Sequence, residues 1–162
     1  MLVGSQYATA ILINVHGSPT VFSDSTVFNN NPNTATTGEV AAVVSIRKIP
    51  PINVVYAYSC DTCAGGSTGW ATAFGIGADA VGRAYVGFDK TAAFRNGVNA
   101  TNSFWATLKK GETVKMAMKK AQDEYEVDGN NGAKLVLIGD PDTTLFKNIY
   151  KHTKTAWFVL NQ

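Results

Sequence analysis

His16 and Cys60 are the two side chains whose placement in the sequence suggests a reaction. Residues 8–15 (ATAILINV) form a short apolar run that is β-branched at its end, and His16-Gly17 follows at once. Residues 52–58 (INVVYAY) form a second run, and Ser59-Cys60 follows it, 44 residues after His16. A thiolate is a strong nucleophile, but a free thiol with a pKa of ~8.5 is mostly protonated at neutral pH. A neighbouring imidazole can take that proton and later return it to a leaving amine. The tetrahedral oxyanion formed on the way needs donors, which backbone N–H groups at tight turns supply. Gly17 permits close backbone approach beside His16, and Cys60 brings its own N–H. Base, nucleophile and two oxyanion donors thus fit at one strand edge.

The surrounding pattern predicts the elements that hold these groups. The two apolar runs read as buried strands. The polar stretch 18–37, with three consecutive asparagines and two prolines, reads as a long loop. Thr36 with Glu39 makes a capping box, so a helix is expected over 37–48, stopped by Pro50-Pro51. A glycine-rich turn over 60–69 leads to a small-residue helix at 70–81, and 84–88 is a third strand. Helices at 98–110 and 112–125 are separated by Gly111, which suits a C-cap. Residues 133–138 form a fourth strand, and 155–160 (TAWFVL) are a candidate fifth. Strands alternating with helical crossovers specify one α/β domain over residues 1–162 with a mostly parallel sheet. Ligands of such sheets sit beyond the carboxyl ends of the strands, where both His16 and Cys60 fall.

Composition narrows the function classes. Hydrophobic residues make up 45% and charged residues 16% of the 162, which excludes disorder. A net charge of +2, from 14 basic and 12 acidic residues, gives no strong electrostatic case for a nucleic-acid or membrane partner. Two cysteines cannot make a disulfide framework. The run at 8–15 is far shorter than the about 20 residues that span a bilayer and lacks the flanks of a leader peptide. The expected location is cytoplasmic. No cofactor or metal is implied by the residues. Cys60-Asp61-Thr62-Cys63 also reads as CxxC, which leaves a thiol-disulfide role as a rival, although the glycines at 65, 66 and 69 delay the helix such a site wants.

At its chemical residues the chain resembles the clan CD cysteine peptidase superfamily, which includes caspases, legumain, gingipains and CHAT domains. The superfamily pattern is a hydrophobic block ending in His-Gly, here ILINVHG (11–17), then a second ending in Xaa-Cys, here INVVYAYSC (52–60). NSFWATLKKGETVKMAMKKA (102–121) and LVLIGDPDTTL (135–145) are similar to the helix pair and final core strand of CHAT and gingipain-like members. The resemblance implies a three-layer caspase-like fold with helices on both faces of the sheet. It implies endopeptidase action on a peptide or protein substrate, with His16 as base and acid, Cys60 as nucleophile and Gly17 as oxyanion donor. It also implies a strict pocket for the residue before the scissile bond, for which Asp61, Asp24 and Asp89 are candidates, Asp89 foremost. Family members carry two strands and a helix ahead of the histidine strand, whereas this chain has seven residues there. An exposed edge is therefore expected, covered by the extension 143–162 or by a second copy in a homodimer. The same fold hosts inactive binding and assembly modules, which is the non-enzymatic alternative.

Overall fold

The computed structural model describes residues 10–24, 33–46, 51–93, 97–127 and 131–145. A four-stranded sheet organises the chain: β1 (Ala10–Asn14), β5 (Val54–Tyr58), β6 (Ala84–Phe88) and β7 (Leu135–Gly139), in that spatial order. β1 and β6 each run parallel to β5, and β7 runs antiparallel to β6. The sheet is mostly parallel and the domain is mixed α/β. The candidate strand at 155–160 lies outside the described residues.

Both faces of the sheet are buried, as continuous apolar runs require. Successive strand residues point to opposite faces. Val54, Tyr56 and Tyr58 of β5 join one core with Phe104 and Leu108 of α3 (Gly97–Lys109) and with Ala117 and Tyr125 of α4 (Val114–Val127). Val55 and Ala57 join the other, with Val40 of α1 (Thr37–Ser45) and Trp70 and Ala71 of α2 (Gly69–Ala73). Tyr56 stacks on Phe104 with centroids 4.3 Å apart, a pairing worth about 0.5–1.5 kcal/mol beyond its buried area.

Local chemistry sets the helix ends. Thr36 and Glu39 form the expected capping box: the Glu39 N–H donates to the Thr36 hydroxyl at 3.2 Å, and the Thr36 N–H donates to the Glu39 carboxylate at 2.8 Å. Gly111 adopts φ +85° and donates to the Leu108 carbonyl, as a C-terminal glycine should. The Gly139-Asp140-Pro141 turn ties three elements together. Asp140 accepts from the Gly82 N–H at 2.8 Å, while the Pro141 and Thr143 carbonyls take the Lys115 and Val114 N–H groups that open α4.

Two expectations are corrected. The helix read at 70–81 ends at Ala73, because Gly75 takes φ +72° and donates to Thr72 while Ile76 donates to Ala71. Those bonds make a Schellman closure, which satisfies the last carbonyls and stops the helix. The stretch read as a loop over 18–37 holds most of a second, antiparallel sheet: β2 (His16–Gly17), β3 (Val21–Ser23) and β4 (Thr34–Thr36). Its first turn is closed by Ser18, whose hydroxyl accepts from the Val21 N–H at 2.9 Å, with Pro19 fixing the next φ.

Candidate active site

β1 and β5 pair at a constant offset, Ala10 with Val54 through Asn14 with Tyr58. That offset of 44 is also the separation of His16 and Cys60. Both residues therefore leave the carboxyl ends of paired parallel strands at matching positions. After β1 the chain bends at Val15 and enters β2, where His16 lies opposite Ser23 and Gly17 opposite Phe22. The bend is pinned from β5, since the Ser59 hydroxyl donates to the Val15 carbonyl at 2.5 Å. Phe22 stacks on the fully buried Trp70 with centroids 3.6 Å apart, and the Trp70 indole N–H donates to the Ser18 carbonyl at 2.9 Å. The small sheet is thus locked to the α2 side of the domain.

Gly17 is where the two segments meet. A methyl group placed there would stand 2.7 Å from the Cys60 carbonyl oxygen, 2.8 Å from the Ser59 Cβ and 3.1 Å from the Cys60 nitrogen. These distances are too short for any side chain, so the close approach expected of this glycine is required by the Cys60 backbone itself.

Cys60 is half-buried, and its sulfur is bracketed by one peptide: the Ala92 N–H donates to Sγ at 3.3 Å, and the thiol faces the Ala92 carbonyl at 3.7 Å. Burial raises the thiol pKa. The Ala92 N–H and the N–H of Cys60 itself act against that shift by favouring the thiolate, while the Asp61 carboxylate adds to it. Cys63 occupies the same turn but is fully buried, and burial pushes its thiol up to about 12. It is a core residue under Gly87, and neither cysteine is in a disulfide.

The three candidate acids fall in different places. Asp61 follows Cys60 directly and is the one non-glycine among the described residues with positive φ, at 59°. Its carboxylate accepts from the Thr91 hydroxyl at 3.2 Å. Asp24 is exposed and follows Ser23, the cross-strand partner of His16. Asp89 is anchored by the backbone: its carboxylate accepts from the Lys134 N–H at 2.7 Å and its own N–H donates to the Lys134 carbonyl at 3.0 Å, clasping the end of β6 to the approach to β7. Sequence reasoning did not find residues 91–93, which run past the Cys60 thiol. Their role rests on backbone atoms, which no side-chain pattern announces.

No family model, curated protein or solved structure matches this chain.

Proposed function

We propose that this chain is a clan CD-type cysteine endopeptidase domain, with a three-layer caspase-like arrangement, that hydrolyses peptide bonds through Cys60 and His16. The observation that carries the reading is the contact of Gly17 with the Cys60 backbone, which brings base-bearing and nucleophile-bearing segments together at the strand ends. In the proposed reaction His16 takes the Cys60 proton and the sulfur attacks the scissile carbonyl carbon. The Cys60 and Gly17 N–H groups stabilise the oxyanion. The C–N bond breaks as His16 protonates the amine, and water, deprotonated by His16, then hydrolyses the thioester. Asp61, Asp24 and Asp89 are the acids that would favour a basic residue before the scissile bond. We place this activity in a reducing, cytoplasmic setting. Among the described residues no helix is long and apolar enough to cross a membrane.

A second reading is favoured by the raised Cys60 pKa, which leaves little thiolate at neutral pH: a catalytically silent module of the same fold that binds or assembles. Among the described residues β1 lies at a sheet edge, and pairing of that edge, by residues 155–160 or by a second copy, belongs to either reading. A pooled fluorogenic peptide library incubated with wild type, Cys60→Ala and His16→Ala separates the two. The enzyme reading expects cleavage by wild type that both substitutions abolish. Absence of cleavage, or cleavage that survives Cys60→Ala, supports the silent module.

A further inference from the structure

The peptide segment at residues 91–93 is fixed from several directions. The Ala93 N–H donates to the Tyr125 hydroxyl at 2.6 Å, and the Ala93 carbonyl accepts from the Tyr58 hydroxyl. The Asn131 side-chain amide donates to the Thr91 carbonyl, and its oxygen lies 3.4 Å from the Tyr125 hydroxyl, which donates to it. The Thr91 hydroxyl donates to Asp61. Ala92 is thus held on both flanks by groups from α4, β5, the Cys60 turn and the segment before β7, and its own N–H and carbonyl both meet Cys60 Sγ.

Resting on the reading of Cys60 as a nucleophile, we propose that Tyr125 and Asn131 are positioning residues, which clamp residues 91–93 so that the Ala92 N–H stays aimed at the Cys60 sulfur and stabilises its thiolate. Neither residue touches the sulfur by hydrogen bond; each acts through the peptide it holds. A backbone donor in a rigid segment is already oriented when the charge forms, so little reorganisation opposes it. A hydrogen bond to a charged acceptor is stronger than one to a neutral acceptor, so the donor favours thiolate over thiol. Three other groups bear on the sulfur's charge, Asp61, Tyr58 and Tyr125, whose anionic forms would repel it, and the segment carrying His16 packs on the Cys60 backbone through Gly17.

The test is the pH dependence of Cys60 alkylation by iodoacetamide, read by peptide mass on the full chain in wild type, Tyr125→Phe, Asn131→Ala and Tyr56→Phe. Tyr56 supplies a control in which an equally buried hydroxyl is lost from the same core. Cys63, which is fully buried, reports global opening in the same spectra. The expected result is an upward shift of the Cys60 midpoint in Tyr125→Phe and Asn131→Ala, with roughly three- to tenfold less thiolate at neutral pH, an unchanged midpoint in Tyr56→Phe, and Cys63 protected throughout. An unchanged or lowered midpoint in both clamp variants would overturn the proposal. So would Cys63 labelling that rises in step with Cys60, because the network would then be holding the fold and not the thiol. No substrate is involved, so the outcome is independent of whether wild type cleaves peptides.

Discussion

Cys60 and Cys63 stand three residues apart in one turn, and the protein treats them in opposite ways. Cys63 is surrounded by core: its N–H is spent on the Phe88 carbonyl at 2.8 Å, its sulfur lies under Gly87, and its thiol is held neutral to about 12. Cys60 is only half-buried, and the Ala92 N–H donates to its sulfur at 3.3 Å. Both thiols are raised by burial and both keep donors that resist the shift, Ala92 at Cys60 and Thr62 and Gly87 at Cys63, but Cys60 alone is partly open and has a histidine-bearing strand against its backbone. With donors at both sulfurs, the depth of burial is what separates the two thiols. The CxxC spacing by itself does not distinguish the two, and a thiol-disulfide role would require Cys63 to leave the core.

The largest expected break in this contrast comes from Gly17→Ala. The added methyl meets backbone on the Cys60 side, where no flexible side-chain end can yield, so β2 and the Cys60 turn must separate. A stability loss of about 1–3 kcal/mol is expected, lowering Tm by ~3–10 °C in a domain of this size. Any peptide cleavage should fall at least a hundredfold, since a misplacement of about 1 Å costs that much. Cys63, on the far side of the turn, should remain protected from alkylation under native conditions. Calorimetry with a cleavage assay checks this, and an unaltered melting point would show that the close approach does not hold in solution.

Cys63→Ala probes the other side. Removing a buried sulfur without disturbing the Gly17 contact should cost about 1–2 kcal/mol and leave the Cys60 alkylation profile as it is. The variant also carries a pH signature. The folded thiol stays protonated to about 12, whereas the unfolded thiol ionises near ~8.5. The stabilisation is complete below the unfolded value and is lost as pH rises toward the folded one. Wild-type stability should therefore fall as pH rises from ~8.5 toward about 12, and fall less steeply in Cys63→Ala. Parallel denaturant melts across that range are sufficient, and identical slopes would contradict the assigned burial of Cys63.

These two cysteines also mark how far the sequence could be read. Apolar runs ending in His16-Gly17 and Ser59-Cys60 announced two buried strands and their shared edge, because continuous burial on both faces leaves a continuous pattern. The Thr36/Glu39 box and Gly111 were legible because caps depend on local residue types. The second sheet was not, since strands of two or three residues are too short for a period to emerge, although Ser18-Pro19 signalled its turn. Gly75 could have ended α2 on paper, but its left-handed backbone is chosen only when Ile76 and Ala71 close the bond. Asp89 was favoured as a pocket acid for standing after a strand. Its carboxylate also accepts from the Lys134 N–H, a long-range partner that no spacing reveals. The bracket around Cys60 was hidden for a similar reason: Ala92 contributes only main-chain atoms, and Tyr125 has the helical spacing of an ordinary core residue.

The smallest expected effect tests the electrostatic half of the comparison. Asp61 takes φ 59°, a conformation that Asn adopts nearly as well, so Asp61→Asn should keep the turn and can still accept from the Thr91 hydroxyl. What it removes is the carboxylate charge, which raises the Cys60 pKa. The midpoint for Cys60 alkylation should fall, giving roughly two- to threefold more thiolate at neutral pH, and the gain over wild type should shrink as salt screens the partly exposed pair. Asp61→Ala should differ in kind: it relieves the same charge but places a residue without a local hydrogen-bonding side chain at positive φ, at a cost of about 1 kcal/mol. If Asp61→Asn leaves the midpoint unmoved at low salt, the carboxylate does not act on the sulfur, and burial against the Ala92 peptide alone separates Cys60 from an ordinary thiol.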